Sequence, residues 1–203
     1  MKEKRRIMFF GDSNTYGYDP RGLLGGRYPA SVRWVDRLAE QFADEWEIIP
    51  RGMNGRCIPE IPEDAIYTEL MLKKAGALDV LAIMLGTNDV ILTSCPDASF
   101  AARRMERFLT FLTAETPALH DARILLIAPP PMDSAASDQP EYGRYVLETQ
   151  KLCALYKDLA ASFGTLFENT GDWNLPMAFD YAHLSEEGHL VFAERMAAVL
   201  CGL

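Results

Sequence analysis

Ser13 lies in Gly11-Asp-Ser-Asn-Thr15, directly after the apolar run Ile7 to Phe10. A serine hydroxyl is a weak nucleophile at neutral pH. It needs a base within hydrogen-bond reach, and that base needs a third group to hold its tautomer. The sequence holds three histidines. His120 precedes a strand-like run and belongs at the far edge of the fold, and His189 lies inside the last helix. His183 is left, three residues after Asp180, a spacing that lets a tight turn bring the carboxylate to one ring nitrogen while the other faces Ser13. Acyl transfer also requires donors aimed at an oxyanion. The backbone N–H groups of Ser13 and Gly55 and the side-chain amide of Asn88 are the candidates, Gly55 because it has no Cβ to obstruct close approach. Read singly, each is an ordinary turn or cap residue, and Asp12 and Asp89 are expected to brace their loops through backbone hydrogen bonds.

For these residues to meet, each must stand at the same edge of one sheet. Ile7 to Phe10 reads as a buried strand ending at Gly11. Trp46 to Pro50, Asp79 to Leu85, Arg123 to Ala128 and Thr165 to Glu168 read as four more, the fourth strand halted by Pro129, Pro130 and Pro131. Between them run amphipathic segments: one from Ser31, taken as an N-cap, through Phe42; one over much of Pro62 to Lys74; one carrying Ala101, Met105, Phe108 and Leu112. A long one runs from Tyr142 to Phe163 and stops at Gly164, and a final one is capped by Ser185. Tyr18 to Pro29 is expected to be loop. Strands alternating with helices imply a parallel sheet covered on both faces, because parallel strands need helical crossovers. The expected fold is α/β, a three-layer α/β/α sandwich with a five-stranded sheet in the flavodoxin-like order 2-1-3-4-5. Ser13 then follows strand 1 and Asn88 strand 3, both beside the crevice where that order reverses.

The chain has 203 residues, 49% of them hydrophobic and 24% charged, which suits one core and one domain spanning 1–203. Its net charge of -9 speaks against nucleic acid or an anionic membrane as partner and for a small molecule. The oligomeric state is open, a homo-oligomer included. The basic start Met1 to Arg6 precedes too short an apolar run for a signal peptide, and no run is long enough to span a membrane. Cys57, Cys95, Cys153 and Cys201 form no C-x-x-C pair. A reduced cytoplasmic protein without a zinc site is expected. No G-x-S-x-G or H-E-x-x-H occurs, which sets aside an α/β-hydrolase and a zinc hydrolase.

Taken together these segments resemble the SGNH, or GDSL-type, hydrolases. Gly11 to Thr15 matches the first block, Gly55 within Gly52-Met-Asn-Gly-Arg56 the second, Gly86-Thr-Asn-Asp89 the third and Asp180-x-x-His183 the fifth. Val32-Arg-Trp34, Ile83 to Asp89 and the prolines after strand 4 look like the arylesterase branch, some of whose members transfer acyl groups to acceptors other than water. Asn14 stands where leucine is usual. The resemblance implies Ser13 as nucleophile, His183 as base and then acid, Asp180 as its orienting carboxylate, an acyl-enzyme, and no metal or organic cofactor. Small or short-chain acyl esters, including acetyl groups on sugars, are the expected substrates; thioesterase, lysophospholipase and acyltransferase activities remain alternatives. Tyr16, Trp173, Leu175, Met177 and Phe179 are candidates for the acyl pocket. A rival outside the enzymes is a flavodoxin-like phosphate- or nucleotide-binding module with Ser13, Asn14 and Thr15 at a helix N-terminus, and a second is a silent scaffold with a remnant site.

Overall fold

The structure, a computed structural model, describes residues 3–22, 26–140 and 142–203. Its centre is the strand β1 (Arg5–Gly11), whose apolar side chains leave no face for water. It pairs in parallel with β4 (Trp46–Gly52) on one side and β5 (Val80–Met84) on the other. Next to β5 lies β6 (Arg123–Ala128), and β7 (Leu166–Asn169) closes the sheet. The spatial order β4-β1-β5-β6-β7 is the one expected from the alternation of strand and helix.

Because side chains alternate along a strand, β1 feeds two cores at once. Met8 and Phe10 join Leu81, Ile83, Ile124 and Leu126 beneath α3 (Ala65–Ala75), α5 (Ala98–Ala114) and α6 (Gly143–Phe163). Ile7 and Phe9 join Val80, Ala82, Met84 and Leu125 beneath α2 (Trp34–Gln41) and α7 (Glu186–Gly202). There Trp34 stands edge-on to Phe9 with centroids 4.9 Å apart and lies 4.5 Å from Phe192 of α7. Each buried Val, Leu, Ile, Phe or Met among them stabilises the fold by about 1.5–3 kcal/mol on leaving water. The three layers are therefore held from the middle outward, and the sheet's carboxyl edge is fixed by both cores. Among the described residues no helix is long and apolar enough to cross a membrane.

Beyond shifts of one or two residues at strand ends, the elements differ from the sequence reading in three places. Ser31 is not the cap of α2: the chain turns there through Val32 N–H to the Pro29 carbonyl, and the helix starts at Trp34, with Arg33 at its N-cap and no side-chain capping bond. The helix expected from Pro62 starts at Ala65, since Pro62, Glu63 and Asp64 form the turn that leads into it. Tyr18 to Pro29 is more than loop, because Tyr18–Asp19 (β2) and Gly26–Arg27 (β3) pair as a short antiparallel ribbon. Residues 23–25 of that segment lie outside the described residues. The two later helix boundaries hold: Gly164 adopts φ 65° after α6, and the Ser185 hydroxyl accepts the Gly188 N–H at 3.0 Å to cap the start of α7.

Candidate active site

At the carboxyl end of β1 the chain enters a single helical turn, α1 (Ser13–Tyr16). Asp12 caps it, its carboxylate accepting the Asn14 N–H at 2.9 Å, and Gly17 closes it at φ 82°. Gly52 at the end of β4 lies so close to this turn that a Cβ built on it would stand 2.1 Å from the Tyr16 nitrogen. The Ser13 turn is thus wedged against the neighbouring strand, with no room to drift.

Asp180 and His183 arrive from the other end of the chain on the loop between β7 and α7. Tyr181 between them adopts φ 63°, a left-handed conformation that costs a bulky residue about 1–3 kcal/mol. That bend curls the loop so that one Asp180 oxygen accepts the His183 and Ala182 backbone N–H groups, at 3.1 and 3.3 Å. Its other oxygen lies 2.6 Å from His183 Nδ1. His183 Nε2 lies 2.9 Å from Ser13 Oγ. A carboxylate can only accept, so Nδ1 carries the proton and Nε2 is left to accept the serine O–H. Burial pushes the Asp180 carboxyl up, but the hydrogen bond and charge of His183 outweigh it and hold the group below the usual carboxylate range. Tyr18 of β2 lays its ring against the imidazole, centroids 4.6 Å apart.

The register of the sheet brings the proposed donors to the same edge. Gly11 pairs with Met84 on one side and Gly52 on the other, so the turns beginning at Asp12, Met53 and Leu85 emerge side by side. Asn88 sits in α4 (Thr87–Ile91), and its amide spends one of two hydrogens on the Arg56 carbonyl at 3.0 Å. Gly55 adopts φ 70°, the left-handed region glycine enters freely. Among the described residues neither the Ser13 nor the Gly55 backbone N–H has an acceptor. These are donors that a developing oxyanion could take without breaking an existing bond.

Asp12 and Asp89 brace the loops. Asp89 accepts the Ile58 N–H at 3.0 Å and lies 3.1 Å from the Arg104 guanidinium, which ties α4 to the Gly55 loop and to α5. Burial raises both carboxyls to about 6. Arg56 was not singled out by the sequence. Its buried guanidinium donates to the Gly11 carbonyl at 2.7 Å and to the Arg51 carbonyl, and lies over the Phe10 ring, stapling the Gly55 loop to β1.

The pocket candidates separate. Trp173 is 8% exposed and packs on Phe192 with centroids 5.0 Å apart, in the core under α7. Leu175 and Met177 are partly buried against that same core, and Met177 bridges to Leu184. Tyr16 ends α1 with the Arg27 guanidinium 4.4 Å from its ring, and Phe179, beside Asp180, is 68% exposed. A cleft of about 240 Å³ opens beside Gly55, lined by Phe10, Met53, Cys57, Ile58 and Tyr67 among others. The two other histidines stand apart: His120 is at the surface, and His189 is 1% exposed.

The model of the GDSL-like lipase/acylhydrolase family matches residues 9–191, a span that contains every residue of this constellation. The chain belongs to that family. Membership makes it an acylhydrolase of the esterase type, with the five-stranded sheet typical of such folds. Structures similar to this GDSL-like chain include a protein of Agrobacterium tumefaciens str. C58 described as an arylesterase, 30% identical, TM-score 0.80, covering 98% of this chain and 99% of that one. The aryl esterase of M. smegmatis is 26% identical at TM-score 0.83, with the same coverage. A carbohydrate acetylesterase from Sinorhizobium meliloti is 26% identical at TM-score 0.80, again over 98% and 99% of the two chains. No curated protein matches the GDSL-like sequence.

Proposed function

We propose that this protein is a serine esterase that cleaves small or short-chain acyl esters, acetyl esters of carbohydrates among them, through an acyl-enzyme on Ser13. The observation that carries the reading is the unbroken series from Ser13 Oγ through the His183 ring to the Asp180 carboxylate. Ser13 Oγ attacks the acyl carbonyl carbon as His183 Nε2 takes the hydroxyl proton. The carbonyl oxygen, now negative, is received by the Ser13 and Gly55 N–H groups and the free amide hydrogen of Asn88. Collapse of the tetrahedral species breaks the ester bond, and His183 returns the proton to the departing alcohol. Water then attacks the acyl carbon with His183 again as base, and the second collapse releases the acid and restores the Ser13 hydroxyl. Asp180 stays ionised throughout and stabilises the imidazolium.

The kinship to aryl and carbohydrate esterases supports a small acyl group, as does the Tyr18 ring that crowds the imidazole. The four cysteines are all free, which fits action in a reducing cytoplasm. A phosphate-binding reading loses its support, because α1 is a single turn and Ser13 already donates to His183. The test is an acyl-chain-length series of p-nitrophenyl esters run beside acetylated sugars. Rates are expected to peak at acetyl to butyryl; a steady rise to long chains would overturn the substrate assignment.

A further inference from the structure

The residue after the nucleophile carries an arrangement that the reaction scheme leaves unused. Asn14 is 3% exposed, and all of its polar functions are engaged. Its backbone N–H goes to the Asp12 carboxylate, and its carbonyl accepts the Trp34 indole N–H at 2.9 Å. Its side chain reaches across the site to the histidine loop, nearly the whole sequence away. There Nδ2 donates to the Ala182 carbonyl at 3.1 Å, and Oδ1 accepts the Leu184 N–H at 2.9 Å. Those two partners are the residues immediately before and after His183.

We propose that Asn14 is a positioning residue that sets the distance between Ser13 and His183 by clamping the backbone on both sides of the imidazole. The inference rests on the esterase reading above. One carboxamide supplies a donor and an acceptor in a single plane, which matches a carbonyl and an N–H two residues apart on one strand of chain. A carboxylate lacks the donor, leucine lacks both groups, and serine is too short to span the gap. Because Asn14 and Ser13 share one rigid turn, the clamp converts the position of the histidine loop directly into the Oγ to Nε2 separation. The loop has other anchors, among them the Asp180 turn and the Ala178 N–H to the His183 carbonyl at 2.7 Å within it and the Asp133 N–H to the Tyr181 carbonyl at 2.9 Å from outside, but none of these starts from the nucleophile turn. Asn14 ties it to the nucleophile. Leucine, the usual residue at this place in the first block, would leave the same task to packing.

The test compares wild type, Asn14→Leu and Asn14→Asp on p-nitrophenyl acetate, well below each protein's thermal midpoint, with the rate of fluorophosphonate labelling of Ser13 measured alongside. Asn14→Leu is expected to lower kcat by about 100-fold with KM within about threefold, the effect of a displacement near 1 Å between reacting groups. Labelling should slow in parallel. The near-isosteric Asn14→Asp keeps the acceptor for Leu184 and loses the donor for Ala182. Its activity relative to wild type should therefore be lower at neutral pH and recover as the pH falls and the carboxyl regains a proton to donate. A residue that merely stabilises the fold would lower the midpoint and leave both the kcat of the folded enzyme and that pH-dependent ratio unmoved. Folded variants with kcat and labelling within about twofold of wild type and no recovery on acidification would overturn the clamp. A wild-type protein that neither hydrolyses the ester nor takes up the phosphonate would overturn the esterase reading, and the clamp with it.

Discussion

Single side chains decide the chemistry here, and they divide by how far away their partners are in sequence. Asp180 and His183 could be read as a pair because three residues and one turn join them. Ser13 could be read because it ends an apolar run. Asn14, Tyr18 and Arg56 could not, since each works through a backbone carbonyl, N–H or ring that only the folded chain brings near. Trp173 is the complementary case: a large aromatic in a loop after the last strand has the same sequence signature whether it faces the site or the core, and here it packs against Phe192. Substitutions follow from the roles. Ser13→Ala and His183→Ala should each lower kcat by about 10,000-fold or more, and Asp180→Asn by about 10,000-fold, with far-ultraviolet circular dichroism unchanged. Asn88→Ala should cost about 100- to 1,000-fold in kcat with little change in KM, because the amide hydrogen it removes acts on the oxyanion and not on the bound ester. An Asn88→Ala enzyme of full activity would remove Asn88 from the site.

At the level of elements, the strands were legible and the ends of helices were not. A buried parallel strand announces itself by a continuous apolar run, whereas α2 begins where backbone turns through Pro29 finish, with no capping side chain to mark the place. The β2–β3 ribbon escaped because two-residue strands carry no periodicity, and yet it delivers Tyr18 to His183. Close packing of elements sets a further constraint. A methyl group at Gly52 would collide with the backbone of α1, so Gly52→Ala should push the Ser13 turn away from its partners. The expected cost is about 1–3 kcal/mol in urea unfolding, together with a fall in kcat larger than any change in KM. Unaltered activity and stability would mean that β4 does not press on α1.

Across the molecule, buried ionisable groups make stability depend on pH in opposing directions. Asp12 and Asp89 are raised by burial from 3.8 to about 6, so the folded state holds their protons more tightly than the unfolded chain does. Their contribution is full below the unfolded value and is lost as pH rises through about 6. His189, buried and among the described residues without a partner at either ring nitrogen, is lowered by that burial from 6.5 to about 4. It favours the folded state above the unfolded value and loses that contribution as pH falls. Asp12→Asn keeps an oxygen to cap α1 and removes the charge. Its urea midpoint relative to wild type should be highest near neutral pH and decline towards about pH 4. A flat difference would mean that the carboxylate is not held against burial. Replacing His189 with methionine should leave the neutral-pH midpoint equal or higher, since no hydrogen bond to a described residue is lost, and should reduce the loss of stability on acidification.

All of this turns on whether the Ser13 hydroxyl is activated by the histidine that lies 2.9 Å from it. The direct measurement is labelling with a fluorophosphonate followed by peptide mass mapping, in wild type and in His183→Ala. One adduct per chain, on Ser13, and its loss in the variant is the expected result. An unlabelled wild-type protein, an adduct on another residue, or equal labelling of Ser13 without His183 would contradict it.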